Sequence, residues 1–68
     1  MLYGKRIKKA RINKGLTQRQ LAEKVSVHPN AIGEYERGTV APSFFIMVKI
    51  SKALDVSLDW LAGGYKND

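Results

Sequence analysis

The sequence predicts an all-α domain of five short helices, and three observations carry that expectation. Turn residues at Gly15, Ser26, Gly38, Pro42, Asp55 and the Gly63-Gly64 pair divide the chain into segments of a few helical turns each. Apolar residues recur at helical spacing within the segments, and no alternating run argues for a half-buried strand. Thr17, His28 and Ser57 each stand where a helix would need its N-cap.

The elements follow in order. The first helix is expected over Gly4 to Lys14, with Ile7 and Ala10 on its inner face and Gly15 just past its end. Leu16 then turns back into the core. The second helix opens on "TQRQ", a capping box in which the Thr17 hydroxyl takes an amide proton at Gln20 and Gln20 reaches back. It ends near Val25, with Leu21, Ala22 and Val25 inward. The third helix runs from Pro29 to Arg37 with His28 as N-cap. Proline is suited to that first position, where its missing N–H has no helical partner. After the loop "GTVAP" the fourth helix runs from Ser43 to about Leu54. Phe44, Met47, Val48, Ser51 and Leu54 share its inward stripe, with Ile50 beside it. Ser57 caps a last short helix carrying Leu58, Trp60 and Leu61. Residues 1–62 form the expected domain, and residues 63–68, "GGYKND", an expected frayed tail.

Length and composition bound the function. A chain of 68 residues holds one small core. There is no cysteine, so no disulfide or thiolate–metal site contributes. No apolar run approaches the roughly 18 residues of a membrane span, and the basic N-terminus lacks the apolar stretch of a signal peptide. A cytoplasmic protein is expected. One histidine and six scattered acids offer no nucleophile–base pair and no metal set, so neither catalysis nor a cofactor is expected.

The net charge is +6, and it is unevenly placed. Lys5, Arg6, Lys8, Lys9, Arg11, Lys14, Arg19 and Lys24 all fall in the first 24 residues, opposed there by Glu23 alone. A field of that kind favours a polyanion. The second and third helices, each about two turns and tightly joined, have a helix-turn-helix layout, whose second member enters the major groove.

The residues make the layout specific. "RIKKARINKGLTQRQLAEKV", "AIGEYERG" and "PSF…KALDVSLDWL" resemble the Cro/repressor, or XRE-like, helix-turn-helix family over roughly Gly4 to Leu61. The resemblance implies a compact, lambda-repressor-like five-helix domain that binds double-stranded DNA and regulates transcription. It also implies a bacterial or phage repressor that dimerises through its C-terminal part on a palindromic operator. Gln18, Ala22, Ile32, Glu36 and Gly38 fall on the family's usual positions. The matching glutamine sits at the DNA backbone and braces the reading helix, which assigns that role to Gln18. Arg11 and Glu36 match a partly buried ion pair, expected here to orient the third helix.

A helical wheel sets Ile32 and Tyr35 on one side of the third helix, and Asn30, Gly33, Glu34 and Arg37 on the other, with Ala31 on a flank. Ala22 must be small where the second and third helices cross, and Ile32 anchors the third. The outer chemistry suits base edges: Asn pairs with adenine, Glu accepts from cytosine, and Ala touches a thymine methyl. Gly33 would allow close approach. Pro29 departs from the polar residue usual at this tip, so readout is expected from His28, Asn30, Ala31, Gly33 and Glu34. Arg37 and Thr39, with Gln18, Asn13 and Lys14, would position the DNA backbone. Ser26 stands where the family prefers glycine, at a cost of about 1 kcal/mol.

Two features leave a second function open. Phe45 and Ile46 lie off the inward stripe, either absorbed under a loop or an N-terminal arm, Met1–Tyr3, or exposed as a partner surface. Leu58, Trp60 and Leu61 either close the core or join a dimer contact. An antitoxin-like or regulatory protein-binding module is the alternative reading.

Overall fold

The computed structural model describes residues 2–64. Five helices follow one another: α1 (Leu2–Asn13), α2 (Gln18–Val25), α3 (Pro29–Arg37), α4 (Phe44–Leu54) and α5 (Leu58–Leu61). α3 packs against α1 and α2, and α4 and α5 close the other side. Ile7, Leu21, Ala22, Val25, Ile32, Ile50, Leu54 and Leu61 make the buried core.

The capping residues act as the sequence predicts. Thr17 Oγ1 accepts from the Gln20 N–H at 3.0 Å and Gln20 Oε1 accepts from the Thr17 N–H at 2.9 Å, which completes the capping box. His28 and Ser57 cap α3 and α5, and Ser43, expected as the first residue of the fourth helix, stands just outside it as its N-cap.

The helix ends share one geometry. After α2 the Ser26 N–H donates to Glu23 O and the Val27 N–H to Ala22 O. The same pair of bonds is made by Gly15 and Leu16, by Gly38 and Thr39, by Asp55 and Val56, and by Gly63 and Gly64. This is the Schellman arrangement, which satisfies carbonyls the helix cannot. It needs a left-handed residue, and two of those are not glycine: Ser26 and Asp55, each with φ 59°. Three joints then run left-handed residue, apolar residue, cap: Gly15-Leu16-Thr17, Ser26-Val27-His28 and Asp55-Val56-Ser57. In each, the apolar residue packs on the core and stands five before a fully buried one: Leu21, Ile32 or Leu61. That is the spacing of a hydrophobic staple. The α3–α4 connection differs, with polar Thr39 in the apolar place and a longer path to Ser43.

Several expectations are corrected. α1 begins at Leu2 rather than Gly4, so Leu2 and Tyr3 belong to a helix and not to an arm. Phe44 is 72% exposed rather than on the inward stripe. As the first residue of α4 it has no preceding turn to lie over, because helical side chains lean toward the N-terminus. Leu61 is wholly buried and so belongs to the core, not to a partner surface. Gly63 and Gly64 are bonded to Trp60 and Asp59, so the first two residues of the expected tail are held. The rest of that tail lies outside the described residues.

Gly4 has a role the sequence did not announce. A Cβ there would lie 2.7 Å from Tyr35 O and closer still to Glu36 O. α1 therefore crosses the end of α3 backbone to backbone, and glycine permits it.

Candidate nucleic-acid interface

α3 is fastened along its whole length. Pro29 presets its first turn, and His28 Nδ1 accepts the Asn30 N–H at 3.1 Å. That bond requires an unprotonated Nδ1, so the neutral ring carries its proton on Nε2. Ile32 and Tyr35 are sunk in the core, and Gly38, with φ 78°, ends the helix. The Thr39 hydroxyl donates to Glu34 O at 3.3 Å and its N–H to the same oxygen at 3.1 Å.

Beneath α3 lies a polar network. Arg11 Nε donates to Glu36 Oε2 at 2.7 Å and Arg11 Nη2 to Glu36 Oε1 at 3.2 Å. Arg11 Nη1 donates to Leu16 O at 2.8 Å. The two side chains are 11% and 5% exposed, so this is a nearly dry ion pair with a forked geometry. Gln18 extends it: Gln18 Nε2 donates to Glu36 Oε1 at 3.0 Å. One carboxylate thus ties α1, the start of α2 and the end of α3 together. The link between Gln18 and Glu36 joins residues 18 apart, and no local pattern signals it.

The outward residues come together in part. His28, Asn30, Arg37, Gln18, Thr39 and Asn13 are exposed, and Glu34 is half-buried. Ala31 is half-buried against the core. Gly33, expected on the open outer side, is buried. The wheel sees one helix alone, whereas the Gln18 side chain of α2 and the long Arg37 side chain fold over this glycine. Lys14 is directed elsewhere, with its ammonium 3.0 Å from the Asp55 carboxylate in an exposed pair.

The expected partner surface divides as well. Phe45 is 79% exposed, and with Phe44 it forms an apolar step at the start of α4. Ile46 packs on the core. Trp60 also packs there, and the Arg6 guanidinium sits over its ring, 5.0 Å from the centroid. Arg6 Nη1 further donates to Trp60 O at 2.5 Å and to Gly64 O at 2.9 Å. Leu58 is half-buried. The clasp by Arg6 spans more than 50 residues of sequence and was not foreseen.

Comparison with known proteins agrees with this layout. A family described as Helix-turn-helix matches residues 7–61. An uncharacterized HTH-type transcriptional regulator of Bacillus subtilis, YqaE, is 37% identical over 67 residues, covering 98% of this chain and 58% of that protein. The P22 c2 repressor, solved in complex with a synthetic operator, superposes with a TM-score of 0.90 at 34% identity, covering 96% of this chain and 98% of that one. SinR of Bacillus subtilis, solved in complex with DNA, gives 0.82 at 38% identity, covering 88% and 97%. The chain spans 58% of the length of YqaE and 36% of that of another relative, the multiprotein-bridging factor 1 of Candida albicans. In motif, in spacing and in three-dimensional arrangement, the chain belongs to the Cro/repressor-type, XRE-like helix-turn-helix family.

Proposed function

We propose that this protein is a sequence-specific, double-stranded DNA-binding transcriptional regulator, a repressor that sets α3 in the major groove. The observation that carries the reading is a rigidly held α3 whose polar residues Asn30, Glu34 and Arg37 stand beside Gln18 at the start of α2. A reading surface of this kind must hold its donors and acceptors in register with base edges. Caps at both ends, a buried anchor and the Arg11–Glu36 pair do that. The net charge of +6 supplies the attraction for the phosphate backbone. The P22 c2 repressor, so similar in fold, was solved on an operator, which supports a duplex ligand here.

In this reading His28, Asn30, Ala31 and Glu34 face the bases. Gln18, Arg37, Thr39 and Asn13 position the backbone. Lys14 joins them when it leaves Asp55. The protein acts as a homodimer on a palindrome, with one α3 in each half-site. Selection of bound sites from random duplex DNA tests this. The expected product is a palindrome with half-sites about one helical turn apart. Recovery of no preferred sequence at moderate salt would defeat it.

A second reading, a protein-binding module, draws on the exposed Phe44 and Phe45. SinR, a similar structure, was solved in complex with SinI. Mutating both phenylalanines to serine separates the readings: a DNA reader keeps its site preference, whereas a protein module loses its partner.

A further inference from the structure

Gly33 occupies the middle of α3, where glycine is about 1 kcal/mol poorer than alanine. It is also buried, on the side of α3 that the wheel assigns to the ligand. A Cβ at this position would lie 3.0 Å from Arg37 Nη1, 3.4 Å from Gln18 Oε1 and 3.6 Å from Gln18 Nε2. The carboxamide of one helix and the guanidinium of another turn of α3 therefore rest on the same bare Cα.

The two heads are not equally free. Gln18 Nε2 is bonded to Glu36, which Arg11 holds from below. Moving Gln18 breaks that chain of bonds. Arg37 is exposed and has no such anchor among the described residues. A methyl at position 33 would sit tighter on Arg37 Nη1 than an ordinary contact, so Arg37 is the side chain that gives way while Gln18 stays in place.

We propose that Gly33 is a positioning residue for Arg37: its missing side chain lets the guanidinium lie back over the centre of α3, beside Gln18, before any DNA arrives. The proposal rests on the DNA-reading function and names how one of its contacts is prepared. With the arginine lying back, its charge is carried next to the start of α2, where a phosphate would also meet free helix N–H groups. With the arginine swung out past Arg37's own end of the helix, that joint contact is lost. The cost of mid-helix glycine is then offset by preorganisation of a flexible, five-donor side chain.

The test uses the full chain, the variants Gly33→Ala and Arg37→Ala, and their combination. The probe is a labelled duplex pool of random sequence, about two helical turns long, so that phosphate contacts are read without knowledge of the operator. Gly33→Ala should melt at or above the urea midpoint of the parent, because alanine favours the helix and Arg37 can move aside. It should nevertheless bind about tenfold more weakly, and its slope of log affinity against log salt should fall by about 1. Adding Arg37→Ala to it should cost less than about twofold, although Arg37→Ala alone costs about tenfold. A methyl that merely collides with DNA would leave the two effects multiplicative, and that result would overturn the proposal. Unchanged affinity or salt slope in Gly33→Ala would overturn it too. Failure of the parent chain to bind the pool defeats the DNA-reading function itself, and the role of Gly33 with it.

Discussion

Replacing Glu36 with alanine should unfold most of this domain's stability margin. The carboxylate accepts three hydrogen bonds, two from Arg11 and one from Gln18. Without it the Arg11 guanidinium keeps Leu16 O as its partner, in a site where its side chain is 11% exposed. An orphaned charge in such a place costs on the order of 3–5 kcal/mol. At roughly 0.05–0.15 kcal/mol per residue, a chain of 68 residues has about 3–10 kcal/mol in total. The loss is therefore between a third and all of it. Urea unfolding followed by far-UV circular dichroism and Trp60 fluorescence measures this directly. With a slope near 1 kcal/mol per molar, the midpoint should fall by about 3 M or more. The double variant Arg11→Met/Glu36→Leu removes both charges and should recover most of the loss, since neither is then left alone. A drop below about 1 M in Glu36→Ala, or a double variant no better than the single one, would refute the reasoning.

Three further outcomes are expected. Gly4→Ala should destabilise by about 1–3 kcal/mol despite better helix propensity, because the new methyl meets the carbonyls of Tyr35 and Glu36; urea midpoints check it. Ser26→Gly should raise stability by about 0.5–1 kcal/mol by relieving a left-handed residue at φ 59°, read as a higher thermal midpoint. Asn30→Ala should relax base preference at one position of a selected site, whereas Arg37→Ala should weaken binding to every duplex, as titrations on selected and random DNA would separate.

The parts of the fold that were legible in the sequence are those governed by neighbours in the chain. The capping box at Thr17, the proline in the first turn of α3 and the helix end at Gly38 are decided within a few residues and stand as expected, and the left-handed Ser26 follows from the glycine that the family prefers there. The ion pair of Arg11 with Glu36 was legible through the family resemblance, as two opposite charges on matching positions. What stayed hidden depends on contacts between distant segments. The intolerance at Gly4 comes from carbonyls more than 30 residues away, and the clasp of Arg6 on Trp60 from the far end of the chain. The outward turn of Phe44 reflects where the core stops along α4, which a wheel does not contain. Gly33 was placed on the correct side of its helix and still misjudged, because a neighbouring helix covers it.

The three repeated joints bear on how this fold tolerates change in length. At Leu16, Val27 and Val56 a single apolar residue closes one helix and seats the next. Adding or deleting one residue there would rotate the following helix and lift Leu21, Ile32 or Leu61 off the core. The stretch from Val40 to Pro42, past the Thr39 bonds that close α3, carries no such double duty. Natural variation in chain length, and any engineered insertion of a tag or fluorophore, should therefore be admitted at that corner and refused at the other three.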